Sequence, residues 1–101
     1  MSFFAWFDAT EAKIFGEFLA EIVIARVSDK NERISERRFG KRHDAMLFQL
    51  EKQIALFEDR KSLNVYKKAQ LGNAFKWKLL ESKFDVDYVD QLTTLIMHKL
   101  K

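Results

Sequence analysis

Cysteine and proline are both missing from the 101-residue chain, and glycine occurs only at Gly16, Gly40 and Gly72. The first absence excludes disulfides, thiolate nucleophiles and cysteine-rich structural zinc sites, and it fits a reducing compartment, so a cytoplasmic location is expected. The scarcity of proline and glycine removes the strongest punctuation of turns and strand ends, which favours long helices. Histidine is nearly as scarce, with His43 and His98 alone. His43 precedes Asp44, but successive helical residues point about 100° apart, so the two do not converge on one proton or metal ion. Exposure to solvent or a capping role accounts for such a histidine. No GxSxG nucleophile turn occurs. No catalytic, cofactor-binding or metal-ligating residue is therefore assigned, and a non-enzymatic chain is expected.

Long apolar runs are also lacking. The longest stretch free of Asp, Glu, Lys and Arg is QLTTLIMH, residues 91–98, far short of the roughly 18–20 residues that cross a bilayer. No transmembrane segment is expected. A secretory signal needs a basic leader before its apolar stretch, whereas MSFFAWF carries no basic residue and runs straight into DATE. The carboxylates of DVDYVD, residues 85–90, do not make a calcium loop: counted from Asp85, the fifth position is Val89, the sixth Asp90 and the twelfth Ile96. An EF-hand needs an oxygen ligand, a glycine and a glutamate there.

What the chain does contain is apolar and charged at once, 48% hydrophobic and 33% charged, too apolar for disorder and ordinary for a folded domain. A single helical domain over 1–101 is expected. Apolar residues recur at spacings of three and four, never in sustained alternation. The fold class that follows is all-α, a small up-down bundle of three or four helices, with boundaries near 8–39, 44–63, 65–84 and 86–101.

Asp8 with Glu11 three residues on reads as an acidic N-cap for the first helix. On a helical wheel Ala12, Phe15, Phe18, Leu19, Ile22, Val23 and Ala25 cover about 200°, wider than the ~100° stripe a surface helix needs. Such a helix is central in its bundle or shared with another subunit. Arg26 interrupts this face; buried, it needs an acid partner, and at the end of the face it reaches solvent with its stem packed. Ile34 keeps the first helix in phase towards Phe39, with Gly40 as a left-handed cap, while Asp29 with Glu32 offers an alternative break.

Asp44 is the next cap candidate, and Leu47, Leu50, Ile54 and Phe57 form a narrow seam after it. In the third segment Tyr66, Asn73, Trp77, Leu80 and Phe84 share one face, Trp77 and Phe75 are expected in the core, and Gly72 with Asn73 invites a kink or break. The last helix starts at Asp85 or Asp87, buries Val89, Leu92, Ile96 and Leu100, and ends in His98, Lys99 and Lys101 where the helix dipole favours cations.

Three binding readings follow. The leading one is a helix-mediated protein–protein interaction module that associates with itself as a homodimer, with an adaptor or regulatory role; its interface draws on Phe3, Phe4, Trp6, Phe7, Phe15, Phe18 and Ile22. The aromatic leader then closes over the bundle or a second subunit. The alternative rests on basic residues. Residues 26–43 hold Arg26, Lys30, Arg33, Arg37, Arg38, Lys41 and Arg42 against three acids, and 65–84 hold five lysines against Glu81. Arg33, Arg37, Arg38, Lys41, Arg42, Lys76 and Lys78 could contact nucleic-acid phosphates. The same charges are equally a solvated surface laced by pairs such as Asp29 with Arg33, and the net charge is only +3. A helix-turn-helix across 67–83 finds no residues placed for base edges. The third reading is attachment to a membrane surface through the aromatic leader.

Overall fold

In the computed structural model, which describes residues 8–26, 41–60 and 63–100, the chain forms four α-helices: α1 (Thr10–Arg26), α2 (Lys41–Arg60), α3 (Val65–Glu81) and α4 (Val86–Lys99). There is no strand among the described residues, and no helix formed by them is long and apolar enough to cross a membrane. The side chains at 41–43 and 60 lie outside the description, as do the proposed continuation of the first helix to Phe39, the break at Asp29 and the Gly40 cap.

Short polar side chains set the helix starts. The hydroxyl and amide of Thr10 both donate to Asp8 Oδ1, at 2.8 and 3.1 Å, and these bonds hold the Asp8 carboxyl below its usual range, with a smaller attraction from Lys67. The first intrahelical bond runs from Lys13 N–H to the Ala9 carbonyl. Ala9 is thus the cap residue, one position later than expected. Asn64 accepts from the Lys67 amide at 2.8 Å to start α3, and Asp85 from the Tyr88 amide at 3.2 Å to start α4. Each satisfies an orphan donor in the first turn. Asp44, expected as a cap, instead lies in the first turn of a helix that starts at Lys41.

The third helix stops at Glu81 rather than running to Phe84. Lys83 takes a left-handed backbone with φ 71°, its amide donates to the Leu80 carbonyl at 3.0 Å, and the Phe84 amide donates to Leu79 at 3.2 Å. This is the paired bonding of a Schellman stop, with Phe84 buried beyond it. Lysine occupies the position that glycine normally fills, so no residue type announces the stop.

One core cluster draws on all four helices: Leu19 and Val23 from α1, Met46, Leu50 and Ile54 from α2, Leu71, Phe75 and Leu79 from α3, and Val89, Leu92 and Ile96 from α4. The α2 seam is as expected at Leu50 and Ile54, while Met46 takes a buried place and Leu47 and Phe57 pack at its margin. In α3 the expected face is inward only in part: Phe84 is buried and Tyr66 and Leu80 pack at the core's margin, and Phe75 is in the core as expected. Leu71, Phe75 and Leu79 face the core, whereas Asn73 is exposed and Trp77 is 60% exposed.

Contacts between α1 and α3 dominate the packing. A Cβ on Gly16 would overlap the Leu71 carbonyl oxygen and stand 3.1 Å from Ala74 Cβ, so the two helices approach as closely as a missing side chain permits. Gly72 does not break α3, which is continuous through it. It is buried beneath Met97 of α4, whose Sδ would lie 2.8 Å from an added Cβ. The two glycines respond differently to alanine. In a mid-helix position Ala is favoured over Gly by about 0.5–1 kcal/mol. At Gly16 the new methyl meets backbone, which yields only if the helices separate, and overpacking of that kind costs about 1–3 kcal/mol. Gly16→Ala is expected to lower stability by about 1–2 kcal/mol in denaturant titrations, whereas at Gly72 the methyl meets a thioether that can swing aside, so Gly72→Ala is neutral or stabilising.

Candidate interaction face

The inner side of α1 is filled. Ala12, Phe15, Gly16, Leu19, Ala20 and Val23 are buried. Phe15, expected at an interface between molecules, is 9% exposed and stacks on Phe57 of α2 with ring centroids 4.1 Å apart and planes 7° from parallel. Its apolar surface is spent within the chain. Phe18 stacks on the outer edge of Phe15 at 6.0 Å, which fixes its orientation while leaving 42% of it exposed.

Outside that filled side a second apolar stripe remains. Ile14 is 62% exposed one turn before Phe18, and Ile22, one turn after, is half-buried against the core. Phe18, Ile22 and Ala25 line an open groove with Glu21, Arg26 and, from α2, Gln49. The stacked pair Phe15–Phe57 and the proximity of Gln49 to Ile22 show that α2 runs antiparallel to α1. That register sets Leu56, 47% exposed, roughly level with Phe15. Arg26 is exposed at the groove's end, so the second of its two expected placements is the one adopted. The over-wide apolar arc is real, and its excess is this stripe.

Of the remaining assigned residues, only Lys76 and Lys78 have described side chains. Phe3, Phe4, Trp6 and Phe7 lie outside the described residues, as do Arg33, Arg37 and Arg38 and the side chains of Lys41, Arg42 and His43. Lys76 stands 3.7 Å from Asp90 and Lys78 3.8 Å from Glu21, both at the surface. A third ion pair joins Lys99 to Glu51. Such exposed pairs contribute little stability, about 0–1 kcal/mol each, but they partly neutralise the lysines. Trp77 does stand exposed between Lys76 and Lys78 in sequence. Its neighbours along the same helical face are Asn73 and Glu81, which do not make a basic surface.

Chemistry-bearing groups are sparse. Among the described residues no three His, Asp or Glu side chains are grouped to hold a metal ion. His98 is exposed on α4, beside Thr93, Thr94 and Met97 around a shallow depression. No protein-family model matches the chain, nor does any curated protein or solved structure.

Among the described residues the phenol of Tyr88 is the most displaced titratable group, 5% exposed in the core and stacked on Phe84 at 6.1 Å. Burial disfavours the phenolate and pushes this phenol up to about 12. The unfolded tyrosine ionises near 10, so the folded state holds its proton through an interval in which the unfolded state releases it. This contribution to stability is complete below about pH 10 and is lost as pH rises towards about 12. The Tyr88→Phe variant should show a shallower loss of stability across that interval than the parent, measured as denaturant midpoints at matched pH.

Proposed function

We propose that the chain is a helix-mediated protein–protein interaction module that associates first with itself, and that it serves as an adaptor or regulatory element without chemistry of its own. The observation that carries this reading is the division of labour on α1. Its inner side is saturated by α3 and by Phe57, and its outer side still offers Ile14 and Phe18 beside half-buried Ile22. Exposed single apolar residues are ordinary, but a contiguous row along one helix beside a groove is the kind of surface that association covers. A homodimer of up-down bundles is the simplest assembly, because a two-fold axis lets one patch serve as both halves of the interface.

Phosphate binding by the basic residues is less well supported. Its two described lysines stand opposite acids of the same chain, and the patch around Trp77 lacks the cations that would hold a phosphate backbone. The self-association reading is tested by light scattering on the full chain at low micromolar and near-millimolar concentration. The mass should rise towards twice the monomer value with concentration. Phe18→Ser, which removes an exposed ring and leaves the Phe15–Phe57 stack in place, should lower it again. A strict monomer at the higher concentration contradicts the reading.

A further inference from the structure

We propose that Met97 is an oxidation site, whose conversion to the sulfoxide by a peroxide loosens the C-terminal half of α4 from α3. The proposal is independent of self-association and uses none of the residues of the α1 stripe. Cysteine is absent from the chain, so no thiol competes for a peroxide and the thioethers are the sulfur it meets. Of the three methionines, Met46 is fully buried in the core and Met97 is 37% exposed, while Met1 lies outside the described residues. Oxidation follows access. Met97 borders the shallow depression it shares with Thr93, Thr94 and His98, which is open to a molecule as small as hydrogen peroxide.

The same sulfur is a packing atom. The three atoms nearest to a Cβ built on Gly72 all belong to Met97: Sδ at 2.8 Å, Cγ at 3.7 Å and Cε at 3.9 Å. The thioether thus occupies the room that a side chain at residue 72 would take, and an apolar, adaptable sulfur suits that seat. A sulfoxide does not. Its oxygen is a strong hydrogen-bond acceptor, and α3 is continuous through Gly72, so the amides there are already committed to the helix's own ladder. The oxidised side chain therefore leaves the seat for the depression and water, and the α3–α4 contact at residue 72 is lost. In the step itself a sulfur lone pair attacks one peroxide oxygen: an S–O bond forms, the O–O bond breaks, and the proton on the transferred oxygen passes to the departing hydroxide, which leaves as water. Sulfur is oxidised by two electrons and the peroxide reduced by two. Methionine sulfoxide reductases, which draw on two thiols and release the oxygen as water, reverse the change.

The test treats the full chain with hydrogen peroxide under native conditions, follows each methionine by peptide mass mapping and measures denaturant midpoints alongside. Met97 should be oxidised well before Met46, the midpoint should fall as its sulfoxide accumulates, and methionine sulfoxide reductase should restore it. Met97→Leu, which keeps Met1 and Met46, should show no such early fall. In Gly72→Ala the new methyl displaces the thioether outward, so Met97 should be oxidised faster than in the parent and with a smaller fall in midpoint. Oxidation of Met97 only in step with Met46 would overturn the site. A Met97 sulfoxide that leaves the midpoint unchanged, or a fall as large in Gly72→Ala as in the parent, would overturn its coupling to α3.

Discussion

The close approach of α1 to α3 at Gly16 is the constraint on which the other contacts depend. The two helices are far apart in sequence and no short turn joins them, so nothing local brings them together. Burial of Leu19, Val23, Leu71, Phe75 and Leu79 does, and it can do so only where the backbones come near. The absent side chain of Gly16 allows the Leu71 carbonyl and the Ala74 methyl to fill the space beside it. The pairing runs parallel: Asp8 lies near Lys67, Gly16 on Leu71 and Ala74, and Glu21 opposite Lys78. Once α3 is placed, the tight turn at Ser82–Asp85 lays α4 back along it, Met97 over Gly72, and α2 closes the remaining side by stacking Phe57 on Phe15.

This arrangement decides which apolar surface is left over. A helix with apolar residues around some 200° of its circumference can satisfy two neighbours, and α1 has two in α2 and α3. The stripe at Ile14 and Phe18 points to neither. Its exposure follows from the position of α1 in the core, because moving Phe18 inward would require Gly16 to move away from Leu71. Apolar exposure at the outer face and close packing at the inner face are thus two consequences of one packing choice. The ring ladder Phe57–Phe15–Phe18 connects them physically.

Much of this was readable from residue order, and the parts that were not have identifiable causes. The last helix was legible at its Asp85 cap and at Val89, Leu92, Ile96 and Leu100, because these residues fall on one face while Val86 and Met97 lie on the other and stay exposed. In α3 two apolar sets interleave: Tyr66, Trp77 and Leu80 on one side, Leu71, Phe75 and Leu79 on the other. Periodicity is satisfied by either, and only the partner helices choose. Gly72 suggests a break by propensity, yet tertiary packing beneath Met97 keeps the helix intact. The stop after Glu81 was hidden because lysine sits where glycine is usual. On α1 the over-wide apolar arc was legible, but a wheel cannot tell which of its residues an adjacent helix covers: Phe15 is buried on Phe57 while Phe18 stays partly exposed.

The most direct test of the account is therefore which face of α3 meets α1. In nuclear Overhauser spectra of the folded protein, the α protons of Gly16 should give strong cross-peaks to the Ala74 methyl, whose carbon lies 3.1 Å from where a Gly16 Cβ would be. The Trp77 ring should show no cross-peaks to α1. Contacts from the Trp77 ring to α1, with none from Gly16 to Ala74, would mean that α3 turns its other face inward and would contradict the packing from which everything else follows.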